Sequence, residues 1–130
     1  VVAHGSPYVA QTTFLGSFKD FHEKAHKAIY TEGPTFVNVL CPCPRGWQYS
    51  AELLPEICRL ALETCVWPLY EVENGEYHLT YMPKKKRPVE EFMKLQGRFR
   101  HCFKPGNEWT IEAAQQYVDE KWEELLAKCK

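Results

Sequence analysis

The sequence predicts an α/β fold: a parallel sheet, with a β-hairpin and an amphipathic C-terminal helix. Three observations carry that reading. Short strand-like runs at Tyr8-Val-Ala-Gln11 and Thr35-Phe-Val-Asn-Val-Leu40 flank a stretch whose apolar residues recur at helical spacing. Asn74-Gly75 separates two strand-like segments, which is the strongest short-range hairpin signal. Near the C-terminus, Ile111, Ala114, Val118, Trp122, Leu125 and Leu126 form an apolar stripe with charges opposite it.

The elements follow in order. Tyr8 to Gln11 is a short strand after Pro7. Ser17 caps a helix whose apolar positions are Phe18, Phe21, Ala25, Ala28 and Ile29, and Gly33-Pro34 ends it. The strand Thr35 to Leu40 completes a βαβ unit, which favours a right-handed crossover and a parallel sheet. A second helix starts at Ser50 or Leu54, with Pro55 in its first turn and Ile57, Leu60, Ala61 and Cys65 on one face. Trp67 to Glu73 and Glu76 to Tyr81 are the hairpin strands. Pro83-Lys-Lys-Lys-Arg-Pro88 is a basic linker, Val89 to Phe99 a short helix, and Lys104-Pro-Gly-Asn107 a break. Thr110 is the expected cap of the terminal helix, whose stripe suits either its own domain or a partner subunit.

A length of 130 residues with 45% apolar side chains leaves room for one modest domain with a core. Basic and acidic residues number 16 and 17, so there is no general electrostatic case for nucleic acid or an anionic membrane. No apolar run reaches the roughly 20 residues of a membrane span, and no signal-peptide pattern opens the chain, so a cytoplasmic location is the expectation. Six cysteines without a regular framework fit reduced thiols or metal ligands better than a disulfide scaffold. Val1-Val-Ala-His-Gly5 reads like the end of an element already under way. The chain is therefore expected to be a fragment holding part of a site.

The motif with most chemical content is Cys41-Pro-Cys43-Pro-Arg45-Gly-Trp47, at the carboxyl end of a strand, where open α/β sheets gather ligands. Thiolates there could ligate a soft metal or an iron–sulfur cluster, act as nucleophiles, or simply pack as small hydrophobes. Two cysteines one residue apart do not chelate as a Cys-x-x-Cys pair does, so further ligands would come from elsewhere. Arg45 beside them could orient a carboxylate or raise a cluster's potential. His22-Glu-Lys-Ala-His26 matches the zinc-peptidase pattern, yet both histidines flank the apolar stripe and no third ligand follows, which favours solvated side chains. Cys58 and Cys65 are expected in the core, and Cys102 and Cys129 are assigned no chemistry. Lys84 to Arg87 could touch phosphates or an acidic protein such as a ferredoxin, though such runs are usually solvated.

Tyr8-Val-Ala-Gln11, Glu32-Gly-Pro34, the Cys41 to Trp47 turn, Leu62-Glu-Thr64, Trp67-Pro-Leu-Tyr-Glu71 and Leu95-Gln-Gly-Arg-Phe99 together resemble the pyruvate:ferredoxin oxidoreductase (pyruvate synthase) beta-subunit family of 2-oxoacid:ferredoxin oxidoreductases. The resemblance covers nearly the whole chain and places it in the C-terminal half of such a subunit. It implies that residues 1–82 are the C-terminal portion of a thiamine-diphosphate-binding α/β domain including the hairpin, and residues 83–130 a helical extension. It implies thiamine diphosphate, Mg²⁺ and a [4Fe-4S] cluster as cofactors, with the 2-oxoacid, coenzyme A, ferredoxin and other subunits as partners. Cys43 matches the family's late Pro-Cys cluster ligand, and no ligand role carries to Cys41. Gln11, Thr12 and Thr13 would approach thiamine or substrate from the same sheet edge. The family's Gly-Asp-Gly motif and N-terminal cysteine triplet are absent from this sequence, so the chain alone is expected to be inactive. The alternative is a non-catalytic α/β interaction module that docks a partner through its basic loop and terminal helix.

Overall fold

A computed structural model describes residues 1–129. Valine, tyrosine and threonine favour extended backbone, and strand β1 spans Tyr8–Thr13, taking in two threonines beyond the expected end. The Ser17 side chain accepts from the Asp20 N–H and starts helix α1, Phe18–Tyr30. Strand β2, Thr35–Leu40, then lies parallel to β1, with Tyr8 opposite Thr35 and Thr13 opposite Leu40. The βαβ reading holds.

The sheet, however, is mixed. Strands β3, Tyr70–Glu73, and β4, Glu76–Leu79, form the hairpin, and β3 pairs antiparallel with the free edge of β1, giving the order β2-β1-β3-β4. Hairpin chemistry is local, whereas the edge on which a hairpin docks depends on how the intervening helix returns the chain. Asn74 and Gly75 take φ of 50° and 89°, the left-handed pair a type I′ turn requires. Both strands are shorter than expected: Pro68 delays the first, and β4 ends at Leu79, after which the Thr80 N–H still donates to the Leu69 carbonyl while its side chain joins Lys24 and Asp20.

Helix α3, Leu54–Glu63, carries Pro55 in its first turn and buries Ile57, Cys58, Leu60, Ala61 and Leu62. Helix α4 is Val89–Lys94, shorter than expected because a 3-10 segment, Gly97–Phe103, replaces its second half. Helix α5, Glu108–Lys128, begins after Asn107, and Thr110 lies inside its first turn with its hydroxyl donating to the Asn107 carbonyl. One core joins Ile57, Leu60 and Ala61 to Val89, Phe92, Met93 and Cys102. A second joins Cys65, Trp122 and Leu125, with Val118, Leu126, Tyr70 and Tyr77 against it. The apolar stripe of α5 is thus buried within the chain, the better-matched of the two covers the sequence allowed.

Helix α1 does the reverse. Its buried residues are Asp20 and Lys24, while Phe18 and Ile29 are 62% and 76% exposed, with Phe14, Leu15 and Tyr30 exposed beside them. The inward face is held by polar contacts. Lys24 Nζ donates to the Gln11 carbonyl, to Asp20 and to Thr80, and Asp20 accepts from Thr12 and Thr80. Further along, the Tyr8 hydroxyl donates to Glu71, which also takes Lys27. Burial, reinforced by Glu71, pushes the Tyr8 phenol far above its usual range.

Cys65 follows α3 at a φ of 61° and is buried. Burial pushes its thiol from an ordinary 9.0 up to about 11. An unfolded chain therefore sheds a proton between those values that the folded chain keeps, so this stabilisation is complete below pH 9 and is lost as pH rises toward 11. Urea midpoints at about pH 8 and about pH 10.5 should show the fall, and Cys65→Ala should flatten it. Equal slopes in the two proteins would refute this assignment.

Candidate functional site

Because β1 and β2 are parallel and end together, the chain after Leu40 emerges at the same sheet edge as Thr13. Cys41 and Cys43 are exposed there, with Pro42 buried between them. Pro44 opens a one-turn helix α2, Pro44–Trp47, for which its fixed φ is preset, and Cys43 is its N-cap. The Cys43 Sγ accepts the Gly46 N–H at 3.3 Å. Hydrogen bonds of this kind orient and tune a metal-bound thiolate. Arg45 is exposed next to it.

The turn is clamped from below. Trp47 packs edge-on against Phe92, and the Arg98 guanidinium lies 3.7 Å from its ring centroid. Gln48 adopts a φ of 58°, and its carbonyl accepts the Gly97 N–H at 2.9 Å. A Cβ at Gly97 would stand 2.9 Å from that carbonyl, so the close approach requires glycine. Tyr49 N donates to the Pro44 carbonyl at 3.1 Å, and the Tyr49 ring rests on the core. Its hydroxyl oxygen is buried without a hydrogen-bond partner among the described residues. Burial, then the nearby thiols of Cys58, Cys43 and Cys41, push the phenol upward. Burial likewise raises the Cys58 thiol, against the effect of the Thr13 hydroxyl, which fits an inert core cysteine.

The three residues on β1 alternate in direction. Gln11 is half-buried, donates to the Pro68 carbonyl at 3.0 Å and accepts from Asn38 at 3.3 Å. Thr12 is fully buried and its hydroxyl donates to Asp20 at 2.5 Å. Thr13 is fully buried with its hydroxyl 3.5 Å from the Leu40 carbonyl. All three share the sheet edge with the cysteine turn, but their polar atoms are engaged inside the fold. His22 and His26 are exposed against Phe18 and Tyr30. Among the described residues no three His, Cys, Asp or Glu side chains converge as a metal site. A cluster at Cys43 would therefore take its other ligands from outside them.

In the basic loop, Lys86 pairs with Asp119, and Arg87 with Glu63 and Glu91, leaving Lys84 and Lys85 exposed. No helix among the described residues is long and apolar enough to cross a membrane. Two features escaped the sequence reading: the Tyr49 hydroxyl and the buried Asp20–Lys24 pair. The second had a signal in its helical (i, i+4) spacing, but such pairs are ordinarily solvated.

No family model matches the chain. Among curated proteins, pyruvate synthase subunit PorB of Methanocaldococcus jannaschii is 49% identical over 93% of this chain and 39% of its own length. PorB of Thermotoga maritima is 45% identical over 97% of the chain and 39% of its own. Ketoisovalerate oxidoreductase subunit VorB of Pyrococcus horikoshii is 43% identical over 96% and 39%. The chain belongs to this family of oxidoreductase subunits. It spans about two fifths of the length of the curated relatives it matches. Within this family segment, then, the cysteine turn is an exposed, rigidly backed pair of thiols at a sheet edge, and α1 presents an uncovered apolar face.

Proposed function

We propose that this chain works within the beta subunit of a 2-oxoacid:ferredoxin oxidoreductase that decarboxylates its substrate to acyl-coenzyme A and CO₂, or runs the reverse, with electrons leaving through a [4Fe-4S] cluster to ferredoxin. Pyruvate is the favoured substrate, by analogy with the name of the PorB relatives. The observation that carries the reading is that identity over 93% of the chain, together with an exposed Cys43 whose sulfur already accepts a backbone N–H.

The residues present fit a cluster. Cys43 would be one ligand and the Gly46 N–H a donor to its sulfur. When bound, thiamine diphosphate with Mg²⁺ supplies the carbanion stabilisation of the reaction. This chain's part is positioning. Gln11, Thr12 and Thr13 would shape the floor beside thiamine or substrate by fixing the strand end, because their side chains are tied to Pro68, Asp20 and Leu40. Residues 1–82 would be the end of the thiamine domain and 83–130 a helical extension sharing its core. The exposed apolar face of α1 supports burial within a larger subunit or complex. Lys84 and Lys85 would offer an acidic ferredoxin its electrostatic contact.

The test is an assay of the complete subunit assembled with its partners. Pyruvate should reduce ferredoxin only when coenzyme A is present, and faster than the branched 2-oxoacid of the VorB relatives. Ferredoxin reduction by neither 2-oxoacid would overturn the proposal.

A further inference from the structure

The cysteine turn holds a second thiol that the cluster reading leaves without a role. From Leu40 to Cys43 burial alternates as it does along a strand: Leu40 packs against the core, Cys41 is exposed, Pro42 is buried and Cys43 is exposed. Cys43 itself is extended, with φ −98° and ψ 113°. Residues i and i+2 of an extended segment point to the same side, so both thiols leave the turn toward solvent while the proline ring anchors the backbone between them. Two residues of extended chain separate their Cα atoms by about 6–7 Å, at the upper end of the roughly 4.4–6.8 Å that a disulfide spans. Cys58, Cys65 and Cys102 are buried and Cys129 is half-buried after α5, so a dissolved oxidant meets Cys41 and Cys43 first. The backing by Trp47, Gln48 and Gly97 keeps the pair at the surface.

We propose that Cys41-Pro42-Cys43 is a redox modification site: when Cys43 holds no metal, a peroxide joins the two sulfurs as a reversible disulfide, with Cys41 as the resolving thiol that keeps Cys43 from irreversible oxidation. This rests on the cluster role of Cys43 proposed above. In the first step the Cys43 sulfur attacks the O–O bond of hydrogen peroxide, giving a sulfenic acid and one water. In the second the Cys41 sulfur attacks that of Cys43. An S–S bond forms, the S–O bond breaks, and the hydroxyl leaves with the Cys41 proton as a second water. The two sulfurs lose two electrons and the peroxide gains them. Without a neighbouring thiol, the sulfenic acid goes on to sulfinic and sulfonic acids, which thiol reductants do not reverse. A bridge across a single residue departs from relaxed geometry, and such bridges reduce easily, so a dithiol returns Cys43 as a ligand.

The experiment strips the complete enzyme of iron with a chelator under anaerobic conditions, treats it with hydrogen peroxide, alkylates it and digests it with trypsin. Cleavage after Lys27 and Arg45 releases residues 28–45, a peptide whose cysteines are Cys41 and Cys43. Wild-type enzyme should yield that peptide unalkylated and lighter by two hydrogens. Dithiothreitol should then restore both thiols and full iron uptake on reconstitution. In Cys41→Ser the same treatment should add two or three oxygens to Cys43 and lose the iron of one cluster on reconstitution, although this variant holds wild-type iron before stripping. Equal oxygen addition to Cys43 in wild type and variant overturns the proposal, as does a bridge from either thiol to one of the other four cysteines. Wild-type iron in Cys43→Ser before stripping would instead overturn the cluster assignment, with the disulfide read independently by the digest.

Discussion

Cys43→Ala, made in the complete subunit, is expected to lose the iron and sulfide of one [4Fe-4S] cluster and to drop 2-oxoacid-dependent ferredoxin reduction to background, while the protein folds as before. The two halves of that outcome have different physical origins. The thiol is exposed, and its one hydrogen bond in the fold is the cap on Gly46 N–H, so folding loses a weak N-cap worth at most about 1 kcal/mol. The Trp47 clamp and the Gln48 to Gly97 bond hold the turn without it. A cluster, by contrast, depends on each of its thiolate ligands. Cys41→Ala is the matched control, since it removes an exposed thiol from the same turn and should leave iron in place. Iron retained in Cys43→Ala together with an unchanged spectrum would remove Cys43 from the ligand set.

Lys24→Met is expected to destabilise the protein by about 3–5 kcal/mol, the usual effect of removing one member of a buried ion pair. Lys24 is 1% exposed, and its ammonium is the link among Asp20, the Gln11 carbonyl and Thr80. Burial lowers its pKa, opposed by the hydrogen bond and charge of Asp20 and then by the charge of Glu71, so its charged state depends on these carboxylates. With the lysine gone, the carboxylate is left in a site it shares only with two threonine hydroxyls. Because Asp20 also accepts from Thr12, the damage should reach the end of β1. The double variant Asp20→Leu/Lys24→Met should recover part of the loss, since no uncompensated charge remains. Urea unfolding of the three proteins measures both numbers, and a loss below about 1 kcal/mol for Lys24→Met would show that the pair is well solvated.

Where a structural choice is made by neighbouring residues, the sequence was easy to read. The Asn74-Gly75 turn, the Ser17 cap and the strand from Thr35 to Leu40 all stand as expected. Boundaries moved where longer-range partners intervene: beyond Leu79, Thr80 keeps one backbone bond to Leu69 and turns its hydroxyl to Lys24 and Asp20, and helix α4 stops before Gly97 closes on Gln48. Helix α1 was the hardest to read. Its apolar periodicity is plain in the sequence, but periodicity marks the face that some other body covers and does not say whether that body lies within this chain.

The placement of Cys43 at a sheet edge follows from sequence alone, because a strand that ends in a Pro-rich turn must release its next residues there, whatever else the chain does. The family likewise follows from sequence. What only the tertiary structure decided is the company these residues keep. The side of β1 on which the hairpin docks, the burial of Lys24 against Thr80, and the enclosure of the Tyr49 hydroxyl each depend on residues far apart in the chain. Such meetings are set by how layers pack, and packing is a property of the whole core that no local stretch of sequence encodes.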